Sequence, residues 1–178
     1  MRHPSAHHGA DPVTDQSTLR TIAPTIRVST RRVRFTLAPL TVNDAAAPVG
    51  DVVTTPSMAA NVARAVIGSD ITECILAIFL DARHRVSGYT EIARGTLNSA
   101  RLTPRDILIP ALHANAAAVI VAHNHPSGDA TPSSGDRQVT TVLCDAGRLV
   151  GVPVMDHLIV TPVDVYSFRE REGECWND

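Results

Sequence analysis

A chain of 178 residues with 44 % apolar residues and a net charge of −2 has the make-up of one globular domain with its own core. The near-neutral balance argues against a strongly basic nucleic-acid binder and against an acidic interaction tail. Three cysteines, an odd number with no C-x-x-C pair, argue against a disulfide framework and a structural zinc ribbon. No signal-like apolar segment opens the sequence, and runs such as 75–80 are too short to span a bilayer, so a cytoplasmic chain without membrane contact is expected. Aromatics make up only 3 %, which leaves Val, Ile, Leu and Ala to build the core. The sixteen basic residues are all Arg.

Residues 1–27 show no hydrophobic period and read as a flexible arm. The balance in 1–34, six Arg against two Asp, allows contact with phosphates. Arg31, Arg32 and Arg34 also suit the wet face of a strand whose inner face is Val33, Phe35 and Leu37, and that reading is preferred. Residues 28–54 are then an N-terminal strand and linker, and the strand offers an edge through which two copies of the chain can pair as a homodimer. A helix is expected over 58–67, opened by Ser57 and closed by Gly68, with Met58, Val62, Ala65 and Val66 inward. The near-continuous apolar run 73–80 reads as a central strand covered on both faces. Residues 81–84 make a turn and 85–97 return as a second strand. Thr103, Pro104 and Asp106 open a helix to about residue 115, with Ile107, Leu108, Ala111 and Leu112 inward and a kink near Pro110. Residues 117–122 form the next buried strand. A helix follows over 133–149, then short strands at 152–155 and 158–160, and a charged tail, 170–178, that frays. Strands alternating with helices give an α/β fold with one mixed central β-sheet flanked by helices; residues 55–169 carry it.

The chemistry gathers between the strand 117–122 and the following helix. His123 and His125 are two residues apart at a strand end, so both point to one side and can clasp a single ion through one nitrogen each. Asn124 points the other way. Pro126, Ser127 and Gly128 turn the chain, and Asp136 falls in the first turn of the next helix, where it can supply a third ligand. Three protein ligands leave one position for water, the arrangement of a catalytic rather than a structural zinc ion. A second reading stays open: Ser133-x-x-Asp136 has the pattern of a capping box that satisfies free backbone N–H groups.

Such a site needs a carboxylate to take a proton from the activated water and pass it to the leaving group. Glu91, inside the strand pattern Tyr89-Thr90-Glu91-Ile92-Ala93, is the candidate, because a carboxylate within a strand is costly without a partner or a task. An ion pair with Arg94, or a solvent-facing edge position, explains the same residue without catalysis. Ser133 has a hydroxyl that can donate to the oxyanion of a tetrahedral intermediate.

His123-x-His125, seven residues, Ser133, two residues and Asp136 resembles the JAMM signature of the MPN/JAB metalloproteases. The flanking residues 91–98, 116–128 and Asp156-His157-Leu158-Ile159-Val160 look like the RadC branch of that family. The resemblance covers about residues 55–168. It implies a cytidine-deaminase-like JAB/MPN fold, one catalytic Zn2+ held by His123, His125 and Asp136, Glu91 as the catalytic glutamate and Ser133 as the oxyanion-stabilising serine. It also implies hydrolysis of a peptide or isopeptide bond in a protein substrate. His157 fits the family's Asp-His pair and is read as structural or as a support to the ligands. RadC-like members carry the traditional label of DNA repair, so a DNA-associated accessory protein is the alternative. One departure weakens it: residues 1–54 do not look like the family's N-terminal helix-hairpin-helix module. A second, Thr103-Pro104-Arg105-Asp106 in place of the usual His-Pro-Arg-Glu, alters a helix start and not the chemistry. A nucleobase deaminase is argued against by the absence of H-x-E followed by P-C-x-x-C.

Overall fold

The computed structural model describes residues 49–95 and 102–176. Residues 1–48, with the expected arm, the strand at 28–37 and the pairing edge it offered, lie outside the described residues. Helix α1 (Pro56–Ile67) is followed by strands β1 (Cys74–Leu80) and β2 (Val86–Arg94), helix α2 (Pro104–His113), strand β3 (Ala118–Asn124), helix α3 (Ser134–Val150), strands β4 (Val154–Val160) and β5 (Val165–Ser167), and the short helix α4 (Phe168–Arg171). The strands form one mixed sheet in the order β2-β1-β3-β4-β5. Only β3 and β4 run parallel; α3 is the crossover between them, as a parallel pair requires.

Alternation along the central strands divides the core in two. Leu76, Ile78 and Leu80 of β1 and Ala118, Ile120 and Ala122 of β3 pack with α1 on one face. Ile75, Ala77, Phe79, Val119 and Val121 pack with α2 and α3 on the other. All seven residues of both β1 and β3 are buried, which is why these strands read as unbroken apolar runs.

Several boundaries and faces differ from the sequence reading. Thr55, not Ser57, caps α1: its Oγ1 accepts from Met58 N, and Pro56 sits at the first helical position. The inward face is Ala59, Ala60, Val62, Ala63, Val66 and Ile67, while Met58 and Ala65 are exposed. Small alanines on that face let the helix lie close to the sheet. In α2, Ile107, Leu108 and Ala111 are buried as expected, but Leu112 is exposed. The two short strands expected at 152–155 and 158–160 are one strand, β4, because Asp156 and His157 are accommodated in the ladder by polar partners.

The end of the chain docks through Trp176 rather than fraying after residue 170. Tyr166 and Arg137 both bond Glu172, and Trp176 Nε1 donates to Val154 O at 2.6 Å. An indole tethered at both its apolar body and its N–H is what holds so charged a segment down.

Helix α3 meets β4 at Gly147. A Cβ there would stand 2.7 Å from Val152 O and 3.3 Å from a methyl of Val154. Gly147→Ala is therefore expected to lower stability by about 1–3 kcal/mol through overpacking against backbone, read as a fall in the thermal midpoint. Asp156 gives a pH-dependent counterpart. Burial pushes its carboxyl up to about 6, against the bonds it accepts from Ser167 Oγ and Arg169 N. A raised carboxyl pKa means that the folded chain takes up the proton first as pH falls, so protonation favours folding between about pH 6 and the unfolded value near 4. Relative to Asp156→Asn, the native chain is expected to gain about 1 kcal/mol in urea unfolding when pH is lowered from about 7 to about 5.

Candidate metal centre

The site is built at the carboxyl end of β3, where the strand leaves the sheet. His125 N still donates to Val160 O, so the parallel pairing with β4 continues one residue past the strand. The chain then turns: Gly128 N donates to His125 O, and Gly128 sits at φ 82°, a conformation glycine adopts without strain. Asp129 closes the turn with its side chain on Thr131 N and its carbonyl on the ring of His125. The turn therefore both reverses the chain and orients a histidine.

Ser133 caps α3, and Asp136 completes the capping box. Ser133 N and Ser133 Oγ both donate to Asp136 Oδ2 at 2.7 Å, and Asp136 N donates to Ser133 Oγ at 3.2 Å. The capping and metal readings of Asp136 are compatible, because all of this uses one carboxylate oxygen. The other, Oδ1, is buried without a hydrogen-bond partner and lies 3.6 Å from His123 Nε2.

Donors of Glu73, His123 and His125 lie mutually close beside it. His123 Nε2 and His125 Nε2 are 3.0 Å apart, and Glu73 Oε1 is 4.0 Å from each. Asp136 Oδ1 approaches from the α3 side. The donors fit a small divalent cation. His125 Nδ1 faces the carbonyl of Asp129 at 2.7 Å and must carry the ring's hydrogen, so its Nε2 presents a lone pair. A buried orphan carboxylate oxygen is costly on its own and is what a cation would satisfy. Two nitrogens and carboxylate oxygen are a donor set suited to zinc.

Burial also keeps the inner histidines neutral, the form in which imidazole binds metals. His123 is held well below its ordinary value, first by burial and then by the neighbouring His157, with Asp136 opposing. Burial, with a smaller electrostatic contribution from the neighbouring His125, pushes His157 down to about 3. His157 lies behind His123, with its Nε2 2.9 Å from His123 Nδ1 and its Nδ1 2.6 Å from Thr140 Oγ1.

The structure brings His123 and His125 together with Glu73 and sets Asp136 Oδ1 3.6 Å from His123 Nε2, but it does not bring Glu91 to them. Glu91 pairs across the sheet with Leu76, on the α1 face, whereas His123 pairs with Ile75, on the opposite face. Its carboxylate is held by Arg94, at 2.9 and 2.6 Å, and Arg94 in turn reaches Asp70. Glu91 is exposed, on a strand that lies at the edge of the sheet among the described residues, so burial places no demand on it. The carboxylate at the site is Glu73, one residue before β1. The sequence reading took it as the first residue of an apolar strand. Its parity with Ile75 was the available signal; that Ile75 faces His123 was not. Ser133 is beside the site, with its hydroxyl hydrogen engaged by Asp136.

The five-stranded mixed sheet with flanking helices is a fold of the JAB/MPN class, and the group Glu73, His123 and His125 could hold a metal ion. A family model described as RadC-like JAB domain matches residues 53–173, and the chain belongs to that family. It is 42 % identical over 122 residues to a UPF0758 protein of Ralstonia nicotianae, a match covering 68 % of this chain and 54 % of that protein. It is 49 % identical over 105 residues to a UPF0758 protein of Burkholderia cenocepacia, covering 59 % and 41 %. The chain thus spans about half the length of the curated relatives it matches.

Asn124, between the two histidines, holds Glu73 in place from the other side of the strand. Its Oδ1 accepts from Cys74 N at 2.7 Å, and its Nδ2 donates to Asp70 O and Thr72 O, both at 3.1 Å. These bonds bracket Glu73. Asn124→Ala removes all three and strands the buried N–H of Cys74. The expected cost is about 2–3 kcal/mol in chemical unfolding. Hydrogen exchange of residues 70–74 should accelerate more than that of β4.

Proposed function

We propose that this domain is a zinc-dependent hydrolase of peptide or isopeptide bonds, with His123 Nε2, His125 Nε2 and Asp136 Oδ1 as the ligands and Glu73 as the general base. The observation that carries the reading is the cluster of Glu73, His123 and His125 donors, with the orphan buried Oδ1 of Asp136 3.6 Å from His123 Nε2. Asp136 is assigned as ligand because its Oδ1 is buried and has no other partner; Glu73 is more exposed and lies on the open side. Zinc, when bound, acidifies a water and polarises the substrate carbonyl.

The chain's own residues supply the rest. Glu73 Oε1 is placed to accept a proton from the attacking water and to return it to the leaving amine nitrogen. Asn124 fixes the backbone on either side of Glu73. For Ser133 Oγ to serve the oxyanion, it must release its hydrogen from Asp136 Oδ2. A surface hollow of about 360 Å³, lined by Ile71, Asn124, His125, Pro126 and Pro162 among others, adjoins His125 and offers space for a substrate side chain.

Among the described residues no helix is long and apolar enough to cross a membrane. The alternative, a DNA-associated accessory role in repair or mobile-element biology, draws on the RadC likeness and on the basic residues 1–34, which lie outside the described residues. Affinity for duplex DNA that falls steeply with added salt would favour it. A homodimer likewise stays a proposal, open to sedimentation.

The test separates two glutamates. Glu73→Gln is expected to retain zinc and to lower hydrolysis of a branched or linear peptide panel by about 10²–10⁴-fold. Glu91→Gln is expected to change the rate by less than about tenfold, because its loss frees only a surface ion pair. Equal activity in wild type and Glu73→Gln, or purified protein without stoichiometric zinc after zinc-replete preparation, would sink the assignment.

A further inference from the structure

We propose that Thr140 and His157 form a tautomer lock that forces the hydrogen of His123 onto Nδ1 and so presents a bare Nε2 to the metal. The proposal rests on the metal reading above, but it assigns two positioning residues that no ligand motif contains.

The direction of the lock follows from one group that can only accept. Thr140 Oγ1 is 2.6 Å from the backbone carbonyl of Asp136, so its single hydrogen is committed there. Its oxygen can then only accept from the ring nitrogen 2.6 Å away, and His157 Nδ1 must be the N–H. A neutral imidazole carries one hydrogen, so His157 Nε2 is a lone pair. It lies 2.9 Å from His123 Nδ1, which must in turn donate. His123 is left with its Nε2 unprotonated and turned toward His125 Nε2 and Asp136 Oδ1. The opposite tautomer would place an N–H on His123 Nε2, where it could satisfy Asp136 Oδ1 and close the site to a cation. The relay denies the apo protein that escape.

The lock is rigid as well as directional. Thr140, His157 and His123 are all buried, with 3 %, 2 % and 1 % of their surface exposed. The ring of His157 is stacked on Phe168, with centroids 4.9 Å apart and planes 9° from parallel, which fixes the plane in which its nitrogens point. The starting carbonyl belongs to Asp136, whose side chain is the candidate third ligand. One turn of α3 therefore both contributes a donor and sets the protonation pattern of another.

The decisive readings are the histidine tautomers in metal-free protein and the zinc affinity. Long-range ¹⁵N–¹H spectra of the wild type are expected to show His123 and His157 as Nδ1–H; Nε2–H at His123 overturns the lock whether or not zinc binds. Thr140→Val, which removes the hydroxyl but keeps the shape, is expected to mix the His123 tautomers and weaken zinc about 10–100-fold in competition with a chromophoric chelator. Thr140→Ser should restore affinity to within about threefold by replacing the hydroxyl. His157→Gln can keep the same donor and acceptor order and should bind zinc more tightly than His157→Leu. Wild-type zinc affinity in Thr140→Val, or no difference between the two His157 variants, would refute it. Absence of zinc binding in the wild type, with His123 found as Nδ1–H, would instead remove the metal reading and leave the lock standing.

Discussion

Asp136 divides its two carboxylate oxygens between two tasks, and the site depends on that division. Oδ2 is bound by the backbone and hydroxyl of Ser133 and starts α3. Oδ1 is held away from every hydrogen-bond donor and kept beside His123. Because the cap is strong and local, the orientation of the carboxylate is set before any ion arrives. The cost is a buried acceptor without a partner, which is tolerable only where something cationic completes it.

The end of β3 works on both sides of the strand. His123, facing α3, and the following His125 offer nitrogens to the site, while Asn124 reaches across to the segment before β1 and grips the backbone around Glu73. A period of two thus delivers ligands on one side and the support for a base on the other. Glu91 and Arg94 extend that support: their ion pair reaches Asp70, on the same segment, from the edge strand. The residue first taken for the base belongs to the outer bracing of the loop that carries the better candidate.

Fold and site were legible to different depths. Unbroken apolar runs announced β1 and β3, and the helix expected over 133–149 matches α3 to within a residue at each end. Strand β4 was read as two pieces because Asp156 and His157 interrupt its apolar pattern; each is in fact satisfied inside the sheet, by Ser167 and by Thr140. The docking of the C-terminal segment was missed for a similar reason. Charge suggested a frayed tail, but a single Trp and two bonds to Glu172 outweigh it.

By itself the sequence singled out side chains that could hold a metal, because His-x-His at a strand end and an acid in the next helix's first turn are joined by a short, locally specified turn. Those relations span 14 residues and need no knowledge of the sheet. Only the tertiary structure decided which carboxylate joins them. Glu73 lies 50 residues before His123, and its approach depends on β1 pairing with β3 in one register and on which face of β2 Glu91 occupies. Strand pairing is a non-local choice, and moving a residue by one position carries its side chain to the other face.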